Sequence, residues 1–229
     1  MTLTGIIRLA LIALVLSAGS GYAEGASSGY TEEKSKFSVG LTYVGAASVY
    51  SNVGNVSAVM PSISYNSGNL SISYQEGLAY QFFDGEKVKM SASVAPRNRP
   101  YNNSRSADLT GMTRELYYDG ALKVSYEISR GLNAKFKFAT EVTDKFNGNL
   151  ADISLSQFIP ILGQPVIFQG GAKWYDSNRA NYLYGVKASE ATMQRVQYAP
   201  GSVTTPYVSI STFYSLTKKT SLFANVNSS

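Results

Sequence analysis

The side chains available for chemistry are few in kind. The chain of 229 residues contains no histidine and no cysteine. It therefore has no disulfide framework, no thiolate or imidazole metal ligands, and no Ser-His or Cys-His pair for nucleophilic catalysis. Carboxylate pairs are the remaining option for acid–base chemistry. We predict no catalytic, cofactor-binding or metal site.

Lysines and carboxylates recur at the polar positions of alternating segments, and we predict that they line a wet, enclosed lumen. They are Lys87, Lys89, Lys123, Glu127, Lys135, Lys137, Glu141, Asp152 and Lys173. Because both signs of charge are present, the first interpretation is a charge-balanced network that rigidifies the fold. Catalysis by the carboxylates is an alternative. A more specific functional hypothesis is that the same residues line a pore for small solutes.

A second basic group falls in the stretch 96–116. It consists of Arg97, Arg99, Arg105 and Arg114. Guanidinium groups can bind the phosphates of lipopolysaccharide through paired hydrogen bonds. The alternative is a solvated loop. The chain has 20 basic and 15 acidic residues, and this small excess does not imply a nucleic-acid partner.

The elements that position these residues are β-strands, because apolar and polar residues alternate with a period of two. Phe37, Val39 and Leu41, for example, alternate with small polar residues. The pattern predicts eleven strands, at residues 37–43, 59–65, 70–74, 78–82, 88–94, 122–128, 132–142, 153–155, 166–174, 208–214 and 222–226.

Short turns and long connections alternate between these strands. The short ones are Asn66–Gly68, Asp84–Gly85, Ser129–Gly131, Leu162–Gly163 and Lys218–Lys219, and the long ones are 45–56, 96–116, 144–149 and 176–203. In a meander the two sets lie at opposite ends, as in an outer-membrane barrel with short periplasmic turns and long outer loops. This arrangement needs a tight turn at Gln75–Gly77 rather than one long strand.

The fold class predicted is all-β, an antiparallel up-and-down transmembrane β-barrel. Strands of about ten residues are long enough to cross the hydrocarbon at a tilt. The polar face is rich in serine, and aromatic residues recur near strand ends. The alternative is a secreted two-sheet sandwich, in which the apolar faces pack together as a core.

The N-terminus has the pattern of a signal peptide. Arg8 precedes an apolar run, Leu9–Leu16, and small residues at 21 and 23 suit a cleavage site. The predicted division is a signal peptide at 1–23, a polar lead at 24–36 and a barrel domain at 37–229. Because bacterial single-chain barrels have even strand numbers, eleven strands imply that a last strand is missing at the C-terminal end.

Several motifs resemble the MltA-interacting protein (MipA/OmpV) family of Gram-negative outer membranes. The stretch 176–191 is similar to the family's Tyr/Phe-Gly-Val-x-x-x-(Gln/Glu)-(Ser/Ala) loop, which follows a Trp-bearing strand. Residues 198–201 and 207–225 resemble the stretches that follow, and 109–112 and 59–65 also match. The resemblance implies a barrel of about twelve strands.

The resemblance also implies a non-enzymatic, structural role without catalytic residues. The expected function is a scaffold that joins a murein lytic transglycosylase to a murein synthase. The expected surroundings are outer-membrane lipid and lipopolysaccharide. The residues leave two alternatives open, a porin-like small-solute channel and a surface adhesin that uses the loops 96–116 and 176–203.

Overall fold

The computed structural model describes residues 8–17, 36–47, 55–74, 76–97, 109–217 and 220–228. Within them the chain is almost entirely β-structure with one short α-helix. The strands are β1 (Arg8–Ser17), β2 (Lys36–Ala47), β3 (Asn55–Ser67), β4 (Leu70–Ser73), β5 (Gly77–Asp84), β6 (Val88–Arg97), β7 (Tyr117–Ser129), β8 (Leu132–Glu141), β9 (Asn149–Ile161), β10 (Gln164–Tyr175), β11 (Val203–Thr217) and β12 (Thr220–Ser228). Helix α1 (Ser177–Tyr184) and a 3₁₀ turn (Ala188–Glu190) lie between β10 and β11.

The strands β2 to β12 form one antiparallel, up-and-down sheet in which each strand pairs with the next along the chain. Each of these eleven strands overlaps one of the eleven predicted from alternation, although several are longer, so the predicted architecture is confirmed. The tight turn between β4 and β5 is confirmed too, since Ser73 lies opposite Gly77 in an antiparallel pair. Its consequence is that all the long connections lie at one end of the sheet, the loop end, and the remaining short turns lie at the other, the turn end.

The edges of this sheet are bridged by β1. Its backbone pairs antiparallel with both β2 and β12, and Leu14 lies opposite Leu41 on one side and Leu222 on the other. The twelve strands thus close into a barrel, whereas the sheet β2–β12 does not close on itself. The position of the strand expected to be missing is occupied by the segment 8–17, because unpaired strand edges readily pair with another extended segment. The cleavage of residues 1–23 stays a prediction.

The two faces of the sheet differ in the way that a barrel requires and a sandwich does not. Large apolar side chains on every second position are exposed, for example Val59 at 66%, Ile153 at 63% and Leu122 at 56%. Polar residues of the opposite face, such as Ser154 and Ser156, are buried. In a two-sheet sandwich the apolar set would be the core. Among the described residues, no helix is long and apolar enough to span a membrane.

Glycine is required at the tight turn between β4 and β5. Gly77 has φ of +68°, and a Cβ atom built on it would lie 2.0 Å from the carbonyl oxygen of Val94 and 2.5 Å from Cα of Ala95. Gly201 has a similar φ, +72°, with no atom within 4 Å of a built Cβ. A side chain at Gly201 would meet backbone strain alone, whereas one at Gly77 would meet both backbone strain and steric overlap. Comparing the two positions therefore separates these two costs.

We predict that Gly77→Ala destabilises the barrel more than Gly201→Ala. The left-handed conformation alone costs alanine about 1–2 kcal/mol, and the overlap at Gly77 adds about 1–3 kcal/mol. Urea unfolding of the refolded full chain in detergent measures both. Equal losses in the two variants would contradict the close packing of this turn against β6.

Candidate functional site

Helix α1 lies at the loop end and is fixed to the start of β9. Asp176 caps the helix, since its Oδ1 accepts a hydrogen bond from the backbone N–H of Arg179 at 2.8 Å. Its Oδ2 accepts from both the backbone and the side-chain N–H groups of Asn149, each at 2.8 Å. The capping residue thus orients the helix against the barrel.

A buried arginine then joins α1 to the barrel wall. The side chain of Arg179 is 2% exposed and donates to both carboxylate oxygens of Asp119 on β7, at 2.6 and 3.1 Å. It also donates to the carbonyl of Gly148 at 3.1 Å. Arg97, the last residue of β6, donates to the same Asp119 at 3.1 Å. One carboxylate therefore holds two guanidinium groups in a network that is largely shielded from water.

Aromatic rings surround this network. Phe146 stacks on Tyr182 with 4.2 Å between ring centroids, and Tyr117 meets Phe146 edge to face at 4.9 Å. The guanidinium carbon of Arg179 lies 5.5 Å from the Phe146 centroid and 5.7 Å from that of Tyr117. These distances allow cation–π attraction in addition to the ion pair.

A second buried ion pair ties two long connections to each other. Arg114 donates to both carboxylate oxygens of Glu190, at 2.6 and 3.2 Å. It also donates to the carbonyl groups of Tyr182 and Gly185. Both charged residues are buried. The stretch before β7 is thereby fixed to α1 and to the 3₁₀ turn.

The environment of Glu190 favours its charged form. Burial by itself would raise the pKa of this carboxyl, but the hydrogen bonds from Arg114 and from the backbone N–H groups of Lys187 and Thr113 outweigh it. The pKa therefore lies below its ordinary value. The ion pair is intact at neutral pH, and its stabilisation is lost as the pH falls below the ordinary glutamate pKa and on through this lowered pKa.

A third buried carboxylate organises the connection between β8 and β9. Glu141 accepts hydrogen bonds from the backbone N–H groups of Lys145, Phe146 and Asn147, at 2.9, 3.1 and 3.1 Å. It also accepts hydrogen bonds from the backbone N–H and the hydroxyl group of Thr143. Arg114, Asp119, Glu141, Arg179 and Glu190 are called the loop-end cluster below, since together they hold the described loops at this end.

The predicted basic loop is only partly available for comparison. Arg99 and Arg105 lie outside the described residues. Arg97 pairs with Asp119, and Arg114 is 4% exposed and pairs with Glu190. The guanidinium of Arg114 thus has a carboxylate partner 76 residues away in sequence. The contact of these arginines with lipopolysaccharide stays a prediction.

Most of the residues predicted to line the lumen share the polar face of the sheet. Strand pairing links Lys123 to Lys137, Lys137 to Asp152 and Asp152 to Lys173, and it places Lys135 opposite Ser154. Lys89 lies opposite Ser125, and Glu127 lies opposite Asn133. Lys87 lies instead in the turn before β6 and is exposed, and Glu141 belongs to the loop-end cluster. Their role as the lining of a lumen stays a prediction.

Several of these side chains have defined contacts. Lys137 lies 3.7 Å from Glu76, in the turn between β4 and β5, and Lys89 lies 3.4 Å from Asp84. The ammonium of Lys173 lies 4.8 Å from the ring centroid of Tyr207. The hydroxyl of Tyr207 in turn donates to Asp152 at 2.9 Å.

The structure does not bring the three predicted carboxylates together. Glu127 lies near the turn end, opposite Asn133, Glu141 lies at the loop end, and Asp152 lies opposite Lys137 and Lys173. Asp119 is the cross-strand neighbour of Glu141, but the oxygens of both are engaged in the contacts described above. Among the described residues, no group of three or more carboxylates could hold a metal ion.

Sequence reasoning missed the partners that complete these networks. Glu76, Asp119, Arg179 and Glu190 stand out by no local motif, and Arg179 and Asp119 are 60 residues apart. The one usable signal was Asp176, which has the residue type expected at the start of a helix.

The family model described as MltA-interacting protein MipA matches residues 39–229. The chain belongs to this family. The match begins within β2 and runs through β12, so it covers the eleven-strand sheet and the loop-end cluster, whereas β1 lies before it. No curated protein and no solved structure matches the chain.

We predict that Arg114→Met is strongly destabilising, whereas the double variant Arg114→Met/Glu190→Met recovers much of the loss. The single variant leaves a buried carboxylate without its partner, which costs about 3–5 kcal/mol, and the double variant removes both charges. Hydrogen exchange of the segment 182–195 measures the local opening. Lys145→Gln, which removes an exposed ion pair with Glu115, serves as a control and should leave this exchange unchanged.

The wild type and the double variant should also differ in how this protection depends on pH. In the wild type, protection of the segment 182–195 should be constant above the ordinary glutamate pKa of about 4.3 and should fall at lower pH. In the double variant this fall should be absent. A double variant that is as unprotected as Arg114→Met at neutral pH would contradict the assigned ion pair.

Proposed function

We propose that this protein is a non-enzymatic scaffold in the outer membrane of a Gram-negative cell, and that it binds a murein lytic transglycosylase and a murein synthase. The observation that carries the proposal is the family match, since the family is described by its interaction with MltA. The chain's own contribution is a barrel whose loop-end charged residues are held in structural networks.

The membrane location is supported by the outer face of the sheet. Exposed apolar side chains recur along β2 to β12, and β3, β7 and β9 each have 13 residues. About 9–11 residues suffice for a tilted strand to cross a bilayer. Outer-membrane lipid and lipopolysaccharide are the surroundings that this face fits.

The turn end is the docking face in this proposal, because short turns face the periplasm in such barrels. Leu162, at the tip of the hairpin β9–β10, is 97% exposed and has φ of +50°. The next residue, Gly163, has φ of +75°. A turn with two positive φ values favours Asn-Gly, so leucine here is unfavourable for the turn itself. An exposed leucine is a suitable contact for a partner protein.

A small cavity lies at the same end. Its volume is about 260 Å³, and it is lined by Glu86, Lys87, Glu127, Ile128, Ser129 and Arg130. Charges of both signs around an apolar Ile128 offer a partner paired polar contacts. Leu162 and this cavity are the two turn-end features that the proposal assigns to partner contacts.

The test measures binding of a purified murein lytic transglycosylase to the detergent-solubilised full chain by biolayer interferometry. We expect saturable binding, and an affinity about tenfold lower for Leu162→Asn, which removes one buried leucine contact. Asparagine suits the turn, so this variant should be at least as stable as the wild type. Met193→Asn, at a fully exposed apolar residue of the loop end, is the matched control.

Two results would contradict different parts of the proposal. A wild type that binds neither the transglycosylase nor a murein synthase would overturn the scaffold function. Normal binding by Leu162→Asn, or an equal loss in Met193→Asn, would overturn the docking face while leaving the scaffold function in place.

A small-solute channel is the second candidate, and the buried polar face of the sheet favours it. Conductance of the full chain in planar bilayers tests this function, and a consistent lack of conductance would remove it. The adhesin alternative stays a prediction.

A further inference from the structure

Three lysines of the polar face lie side by side on β7 and β8. Lys123 on β7 is the direct cross-strand partner of Lys137 on β8, and Lys135 is two residues from Lys137 on the same face. Like charges directly opposite each other destabilise a sheet. These three residues, Lys123, Lys135 and Lys137, are called the lysine row.

Neighbouring carboxylates neutralise the row incompletely. Within the described residues, Glu76 at 3.7 Å from Lys137 is the single carboxylate in ion-pair distance of the row. Asp119 is shared by Arg97 and Arg179. Asp152 is the neighbour of Lys137 on β9, but it accepts from Tyr207 and lies within 4 Å of no described lysine or arginine nitrogen.

The fold itself does not require this concentration of charge. Neighbouring positions of the same face are serines, including Ser125 and Ser154, which are the cross-strand partners of Lys135. Serine or glutamine at the lysine positions would keep the face polar without repulsion. A cluster of like charges that one carboxylate offsets only in part costs stability, and such a local conflict is a sign of a functional site.

The spacing of the row restricts the ligand. Cross-strand partners lie about 4.5–5.5 Å apart at Cα, and residues i and i+2 about 7 Å apart. Three flexible ammonium groups can therefore converge on one solute of about that size. Lysine acts as a point charge, with none of the planar specificity of arginine.

We propose that Lys123, Lys135 and Lys137 form a binding site for a compact polyanion, a small solute with two or more carboxylate or phosphate groups. The ammonium groups bind the anionic groups, and the hydroxyl of Ser125 is an adjacent hydrogen-bond donor. The site is independent of partner docking, because it lies on the strand faces and not at the turns.

The test is isothermal titration calorimetry of citrate into the full chain in detergent at low ionic strength. We expect saturable binding of one citrate, weakened by added sodium chloride. The triple variant Lys123→Gln/Lys135→Gln/Lys137→Gln should bind at least about tenfold more weakly, because three charge-assisted contacts are lost. The control Lys87→Gln/Lys145→Gln/Lys187→Gln removes the same net charge at exposed positions and should retain the affinity.

Urea unfolding without citrate gives a second readout. Removing the repulsion should leave the triple variant at least as stable as the wild type, and citrate should stabilise only the wild type and the control. Absence of saturable citrate binding to the wild type would overturn the proposal. So would an equal loss of affinity in the control, which would show a nonspecific effect of net charge, or a triple variant that unfolds at lower urea, which would show that the row is structural.

Discussion

The constraint on which this structure depends is the pairing of backbone hydrogen-bonding groups at strand edges. In a sheet surrounded by hydrocarbon, every N–H and C=O must find a partner on a neighbouring strand. The strands β2 to β12 satisfy one another in sequence, and β2 and β12 are both completed by β1. Because successive side chains of a strand point to opposite faces, closure leaves the apolar residues on the outside and the polar residues on the inside.

Charged residues on the inside of the barrel have different kinds of partner at the loop end and farther along the strands. At the loop end, Asp119 and Glu190 each have guanidinium partners, and Glu141 is satisfied by backbone N–H groups. Further along β7 and β8, lysines lie next to lysines. The first arrangement stabilises loops, whereas in the second Glu76 offsets the repulsion between the lysines only in part. This contrast separates structural charge from charge that is available for binding.

The sequence predicted those features that depend on neighbouring residues. Strand positions followed from alternation, and the tight turn at Gly77 followed from the need to keep long connections at one end. Arg114 shows the limit of such reasoning, because it was assigned to an exposed loop, whereas its partner Glu190 becomes a neighbour only after β7 to β10 have formed. The segment 8–17 suits both a signal peptide and a strand, since both need an apolar stretch of about that length, and its cleavage stays a prediction.

The contacts of Arg114 also bear on the order of folding. Its guanidinium reaches Tyr182, Gly185 and Glu190, which follow it by 68, 71 and 76 residues. The hairpins need only adjacent strands, but this guanidinium can find its acceptors only when four intervening strands have already aligned, and contacts between distant segments form slowly. The loops at the loop end should therefore become ordered last during folding. Ordered loops would then indicate that the strands of the barrel are already paired.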